Sequence, residues 1–161
     1  MATELNKGKE LEIVRLPHYV RGKFYVFSAK WNDDVVGKLR EGCIETLLSA
    51  GVKAENIVWR EVPGTVELIY GAASVIEHFE PAAVIILGCV IRGDTPHFDY
   101  VCHIASEGTA LLNSRGKAPV IFGVLTVENR EQALARAGGE LGNKGSEAAV
   151  AAIEMASLLL E

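Results

Sequence analysis

The chain has 161 residues, 49% of them hydrophobic, and 16 Lys and Arg against 21 Asp and Glu give a net charge of −5. That length supports one domain with a substantial core, and the acidic balance excludes a nucleic-acid surface, because phosphate affinity comes from clustered Lys and Arg. The longest apolar runs, such as "AAVIILGCVI" over 82–91, are too short to cross a bilayer, and the first residues lack the apolar core of a secretory signal, so the expectation is a soluble, cytoplasmic protein.

The predicted elements alternate along the chain. "LEIVRL" is a candidate short strand without a local partner. "KFYVFSA" (23–29) is β-branched and aromatic and predicts a strand, after which "NDD" caps a helix over 35–50 that Gly51 ends. "NIVWREV" (56–62) predicts a second strand with Trp59 in the core, and Pro63, Gly64 and Thr65 open a second helix over 63–79. The run 82–91 is continuously apolar, the pattern of a strand covered on both faces, and a helix follows over about 100–112. "APVIFGVLTV" (118–127) repeats the strand signal. Asn129 with Gln132 three residues on forms a capping box for a short helix ending at Gly138 and Gly139, and "SEAAVAAIEMASLLL" closes the chain as a helix.

Strand and helix in fourfold alternation predict a three-layer α/β sandwich, a four-stranded, mostly parallel sheet with helices on both faces, because right-handed crossovers place them there. Residues 23–161 form the α/β domain; residues 1–22 are an amino-terminal segment, a candidate strand at a subunit interface. Three cysteines, Cys43, Cys89 and Cys102, make an odd count without CxxC spacing. They predict plain buried thiols rather than disulfides or a zinc knuckle.

In open parallel sheets, ligands gather outside the carboxyl ends of the strands, near the point where strand order reverses. Four segments fall there: "AKWN", "EVPGTVE", "IRGDTPH" and "FGVLTVEN". In the third, Gly93 removes the side chain where the backbone leaves the strand, so the amides of Asp94 and Thr95 face outward at a helix start, the geometry of an anion site. An ordinary turn capped by Thr95 is the alternative. Asp94 beside a phosphate requires a cation, for which Arg92 and a more distant arginine are the candidates. His97 lies two residues past Thr95 and, as an imidazole, can take and give protons near neutrality; His18, His78 and His103 have no neighbouring anion turn. Trp31 at the end of the first strand is either core or a platform for a planar heterocycle, and Glu67 either complements a helix dipole or contacts a ligand.

Five stretches in order, "VPGTVE", "LGCVIRGDTPHFDYV", "PVIFGVLTVEN", "EQALARAG" and "GNKGSEAAVAAIEMA", resemble the successive signatures of the 6,7-dimethyl-8-ribityllumazine synthase family. The resemblance runs from about residue 28 to the end. It implies a flavodoxin-like fold, a transferase of riboflavin biosynthesis, and condensation of 5-amino-6-(D-ribitylamino)uracil with 3,4-dihydroxy-2-butanone 4-phosphate, releasing phosphate and water without metal or organic cofactor. Carried over by position, it implies that Trp31 stacks on the pyrimidine and that Thr65, Val66 and Glu67 hold the ribityl chain. It further implies that Cys89, Val90 and Ile91 line the pyrimidine side and that Phe122 comes from across a subunit boundary. Asp94 and Thr95 match the phosphate turn, with Arg136 and Lys144 as its cations, and His97 matches the proton-transfer histidine. The chain departs from the family pattern at Trp31, where Phe is common, at Val66, where an aromatic is common, and at Ala135, where an acid is common.

Such proteins assemble as pentamers, some building an icosahedral shell, and the short link "GGELGN" over 138–143 is of the shell-forming kind; riboflavin synthase is a partner the resemblance admits. Two readings from other classes stand beside the enzyme: a flavin- or nucleotide-binding α/β module, which leaves His97 without a role, and a non-catalytic shell protein. Within the enzyme class, an archaeal-type riboflavin synthase is the related rival.

Overall fold

The structure, a computed structural model, describes residues 11–158. Four strands, β1 (Phe24–Ala29), β2 (Ile57–Val62), β3 (Ala83–Ile91) and β4 (Val120–Val127), run parallel throughout in the order β2-β1-β3-β4. With helices on both faces this is a flavodoxin-like three-layer sandwich. The helices are α1 (Asp33–Ser49), α2 (Glu67–His78), α3 (His97–Ser114), α4 (Arg130–Ala135) and α5 (Lys144–Ser157). A small antiparallel hairpin of β5 (Ala137–Gly139) and β6 (Gly142–Asn143) joins the last two.

Side-chain alternation divides the core. On β1, Phe24 and Val26 face α1 and α5, whereas Phe27 and Ala29 face α2 and α3. On β3, Ile85, Leu87 and Cys89 join the first layer, and Val84 and Ile86 the second. Because β3 lies between β1 and β4 and is covered on both sides, nearly every position must be apolar, which is the unbroken run seen in the sequence. After β1 the chain steps outward to β2, then returns to β3 on β1's other side. The strand order therefore reverses between β1 and β3, and their carboxyl ends flank the crevice.

Several boundaries differ from expectation. α3 begins at His97 with Pro96 at its N-cap, three residues before the predicted Tyr100; Pro supplies a helix-ready φ, which makes it a good starter and leaves Thr95 outside the helix. α4 stops at Ala135, since Gly138 at φ 98° and Gly142 at φ 78° turn the chain into the β5–β6 hairpin instead. Trp59 is not core: β2 is an edge strand, and the indole is 39% exposed, donates from Nε1 to Ser28 Oγ at 2.8 Å and lies under the Arg40 guanidinium. Among the described residues, 11–16 pair with no strand; the Leu16 amide bonds to the Ala50 carbonyl at 2.8 Å.

At the other face α5 presses on α1. Asn143 caps α5 by accepting from the Gly145 and Ser146 amides and donates to the Lys38 carbonyl of α1 at 2.9 Å. A methyl group at Gly145 would overlap the Leu39 carbonyl, so this crossing requires a residue without a side chain. No helix among the described residues is long and apolar enough to cross a membrane.

Candidate active site

A pocket of about 440 Å³ opens in the crevice between β1 and β3. Trp31 and Asn32, just past β1, form one wall. Gly64, Thr65, Val66 and Glu67 form a second at the start of α2, and Cys89, Val90 and Ile91 are the floor at the end of β3. His97 and Val101, one turn apart on α3, close the remaining side. A larger hollow of about 780 Å³ is lined by residues 76–81 and Lys117 at the opposite, amino end of β3. It gathers exposed helix-end residues around the Lys117–Glu77 ion pair, whereas strand carboxyl ends converge only on the smaller one.

Local sequence explains how each wall stands. Asn32 sits at the N-cap of α1 with φ 57°, the only non-glycine residue with positive φ among those described. Asparagine tolerates that left-handed region. Its side chain does not cap the helix as "NDD" suggested; Nδ2 instead donates to the Cys89 carbonyl at 2.9 Å, tying the end of β1 to the end of β3. Gly88 of β3 lets α2 settle on the sheet, because a methyl there would lie 3.0 Å from Thr65 Oγ1 and 3.2 Å from Leu68 Cδ1. Gly64 leaves space between two wall groups: a methyl there would stand 3.0 Å from Glu67 Oε2 and 3.5 Å from Trp31 Cδ1.

The arrangement offers a planar platform, a carboxylate, a thiol and an imidazole around one cavity. Trp31 is 74% exposed, so its ring is a wall and not part of the core. Burial pushes the Cys89 thiol up to about 11, reinforced by Asp34 and partly offset by Arg130, which is itself paired with Asp34. Near neutrality the thiol is protonated and is a packing surface, not a nucleophile. Among the described residues no cluster of three or more His, Cys, Asp or Glu side chains is arranged to hold a metal ion.

The pocket brings together Trp31, Thr65, Val66, Glu67, Cys89, Val90, Ile91 and His97 of the residues singled out from the sequence. It does not include the others within this chain. Asp94 and Thr95 are exposed on the turn before α3, and Arg92, a candidate partner for Asp94, is bound to Asp99 and Glu128 instead. Arg136 follows α4 and donates to the Gln132 carbonyl at 3.0 Å. Phe122 and Lys144 line a separate hollow of about 110 Å³, where the Lys144 ammonium pairs with Glu147 at 2.8 Å. Sequence reading missed Asn32, Gly64 and Val101. Val101 was findable, since it lies four residues after His97 on one helix face, but a helix begun at Tyr100 puts His97 outside it.

Fold and pocket together define a flavodoxin-like α/β protein with a pocket at the sheet's switch point. A sequence model of the family described as 6,7-dimethyl-8-ribityllumazine synthase matches residues 21–160. The chain is 55% identical over 158 residues to the 6,7-dimethyl-8-ribityllumazine synthase of Porphyromonas gingivalis, covering 98% of each chain. It is 44% identical to that of Phocaeicola vulgatus, over 96% of this chain and 92% of that one, and 50% identical to that of Bacteroides fragilis, over 83% and 93%. The chain belongs to the 6,7-dimethyl-8-ribityllumazine synthase family.

Proposed function

We propose that this chain condenses 5-amino-6-(D-ribitylamino)uracil with 3,4-dihydroxy-2-butanone 4-phosphate to 6,7-dimethyl-8-ribityllumazine, releasing phosphate and water, as a transferase of riboflavin biosynthesis. The observation that carries the chemistry is that Trp31, Glu67 and His97 line one cavity at the β1–β3 switch point. Trp31 supplies a face for the pyrimidine, and the Thr65 to Glu67 turn supplies amides and a carboxylate for the ribityl hydroxyls. The outward turn at Asp94 and Thr95 receives the phosphate, with Arg136 as its bidentate cation. The 5-amino group attacks the ketone and, with loss of a first water, forms a Schiff base; phosphate leaves by elimination, and the ribityl-bearing nitrogen attacks the remaining carbonyl and closes the ring with loss of a second water. His97 moves the protons. Holding two substrates in register supplies up to about 7–11 kcal/mol, and proton transfer adds roughly a hundredfold to ten-thousandfold.

Phe122, Arg136 and Lys144 stand apart from the pocket within one chain, which fits a site completed by a neighbouring subunit in a pentamer, with the icosahedral shell as the larger form. The reading of residues 1–22 as a short strand at a subunit interface lies outside the described residues for 1–10; for the described part, the exposed side chains of Leu11, Ile13 and Val14 support contact with a neighbour. Three free thiols suit the reducing cytoplasm.

The test is to incubate the purified chain with both substrates and follow lumazine fluorescence. Turnover is expected, with His97→Ala slowed by roughly a hundredfold or more yet still measurable and Arg136→Ala chiefly raising KM for the phosphate substrate. Tight flavin binding without turnover identifies a binding module instead, and sedimentation as a monomer removes the shared site.

A further inference from the structure

We propose that Arg92 is a positioning residue for this reaction, acting through the placement of His97 and of the turn over 93–96 and not through contact with substrate. The inference rests on the reading of His97 and that turn given above. Arg92 directly follows β3, and its amide still donates to the Val127 carbonyl at 2.9 Å, continuing the ladder with β4. Its guanidinium then spans the turn. Nη1 and Nη2 meet the two carboxylate oxygens of Asp99 at 3.3 and 3.1 Å, and Nε meets Glu128 Oε2 at 3.0 Å. The guanidinium carbon lies 4.1 Å from the centroid of the Phe98 ring. The end of β3, the first turn of α3 and the segment after β4 therefore meet on one planar group.

The fork onto Asp99 closes a ring through the main chain that brackets residues 93–96. Gly93 in that bracket has open space around it, so the chain itself does little to fix the path. His97 immediately precedes the two residues the guanidinium grips. The side chains of Arg92, Asp99 and Glu128 are 38%, 61% and 60% exposed, and surface pairs of this kind add little to global stability. A planar two-pronged contact does fix orientation. Two carboxylates already hold the guanidinium, which leaves it a poor ligand for a phosphate.

Steady-state kinetics of Arg92→Met, Arg92→Lys and Asp99→Asn against each substrate tests this. Arg92→Met is expected to lower kcat about tenfold and raise KM for the phosphate substrate about tenfold, with KM for the pyrimidine within about twofold of wild type. Arg92→Lys keeps the charge but not the fork and is expected to match Arg92→Met. Asp99→Asn separates positioning from direct phosphate binding: positioning raises KM for the phosphate substrate, whereas a phosphate ligand released from Asp99 lowers it. The double variant Arg92→Met/Asp99→Asn is expected to be no worse than the poorer single one. Wild-type kinetics in either Arg92 variant, a lowered KM in Asp99→Asn, or full additivity overturns the proposal. Should Arg92→Met not fold, Asp99→Asn, which keeps the side-chain shape, carries the same decision. His97→Ala is the separate control: undiminished kcat there removes the site reading itself, while a slow His97→Ala beside an inert Arg92 removes only the positioning role.

Discussion

Gly64 shows how much of the pocket depends on atoms that are missing. A methyl there would press on the Glu67 carboxylate and meet the Trp31 ring at ordinary contact distance, the two groups proposed above for the ribityl chain and the pyrimidine. Gly64→Ala is expected to raise KM for the pyrimidine about tenfold while stability stays within about 0.5 kcal/mol of wild type, because only flexible side chains must yield. A marked stability loss with unchanged KM would assign the glycine to folding instead. The buried thiols give a second residue-scale expectation. Burial lifts Cys43 from the ordinary 9.0 to about 12 and Cys89 to about 11. Each thiol thus keeps its proton to higher pH when folded than when unfolded, so its contribution is complete below pH 9 and is lost as pH rises through the folded value. For Cys43 the decline is about 1.4 kcal/mol per pH unit. Urea unfolding at pH 8 to 11 should show Cys43→Ala with a flatter decline than wild type, on top of a pH-independent cavity cost; parallel declines would contradict it. At this scale the sequence offered Trp31, Glu67 and His97 as candidates at strand ends, with core packing or a helix dipole as the alternative for the first two, and the family resemblance singled them out. It did not reveal Asn32, whose left-handed backbone and bond to Cys89 depend on a strand distant in sequence.

At the scale of elements, periodicity together with cap signals located the five α-helices and the four strands of the main sheet, missed the short 3-10 turn at Ala54–Asn56, and misplaced some ends. α3 was read too short because the Thr95-Pro96-His97 stretch carries turn signals as well as helix-start signals. The capping box at α4 formed with a shift: the Gln132 amide donates to Asn129 Oδ1 as expected, but the Gln132 side chain returns to the Glu128 amide. The β5–β6 hairpin is too short to produce a pattern. The α1–α5 crossing is where an element depends on one position. Gly145→Ala would force a methyl into the Leu39 carbonyl, rigid backbone that cannot swing aside, and should lower unfolding free energy by about 1–3 kcal/mol. Urea midpoints equal to wild type would mean the helices separate at no cost.

For the whole molecule, the alternation of apolar runs and amphipathic stretches was enough for the layers and the parallel sheet, because βαβ handedness leaves few alternatives. Within this chain Phe122, Arg136 and Lys144 do not join the pocket: their neighbours are Ala148, Gln132 and Glu147, so the site proposed for them has no single-chain pattern to read. The Asn32 to Cys89 bond joins residues 57 apart in sequence, so the crevice is complete only once β3 has docked beside β1. A nascent chain that has delivered only β1, β2 and their helices has no floor for a metabolite to rest on, and one paused before β3 docks cannot be rescued by substrate. Ligand can act only as a latch on the finished molecule, shifting its equilibrium by mass action without guiding the route that leads there.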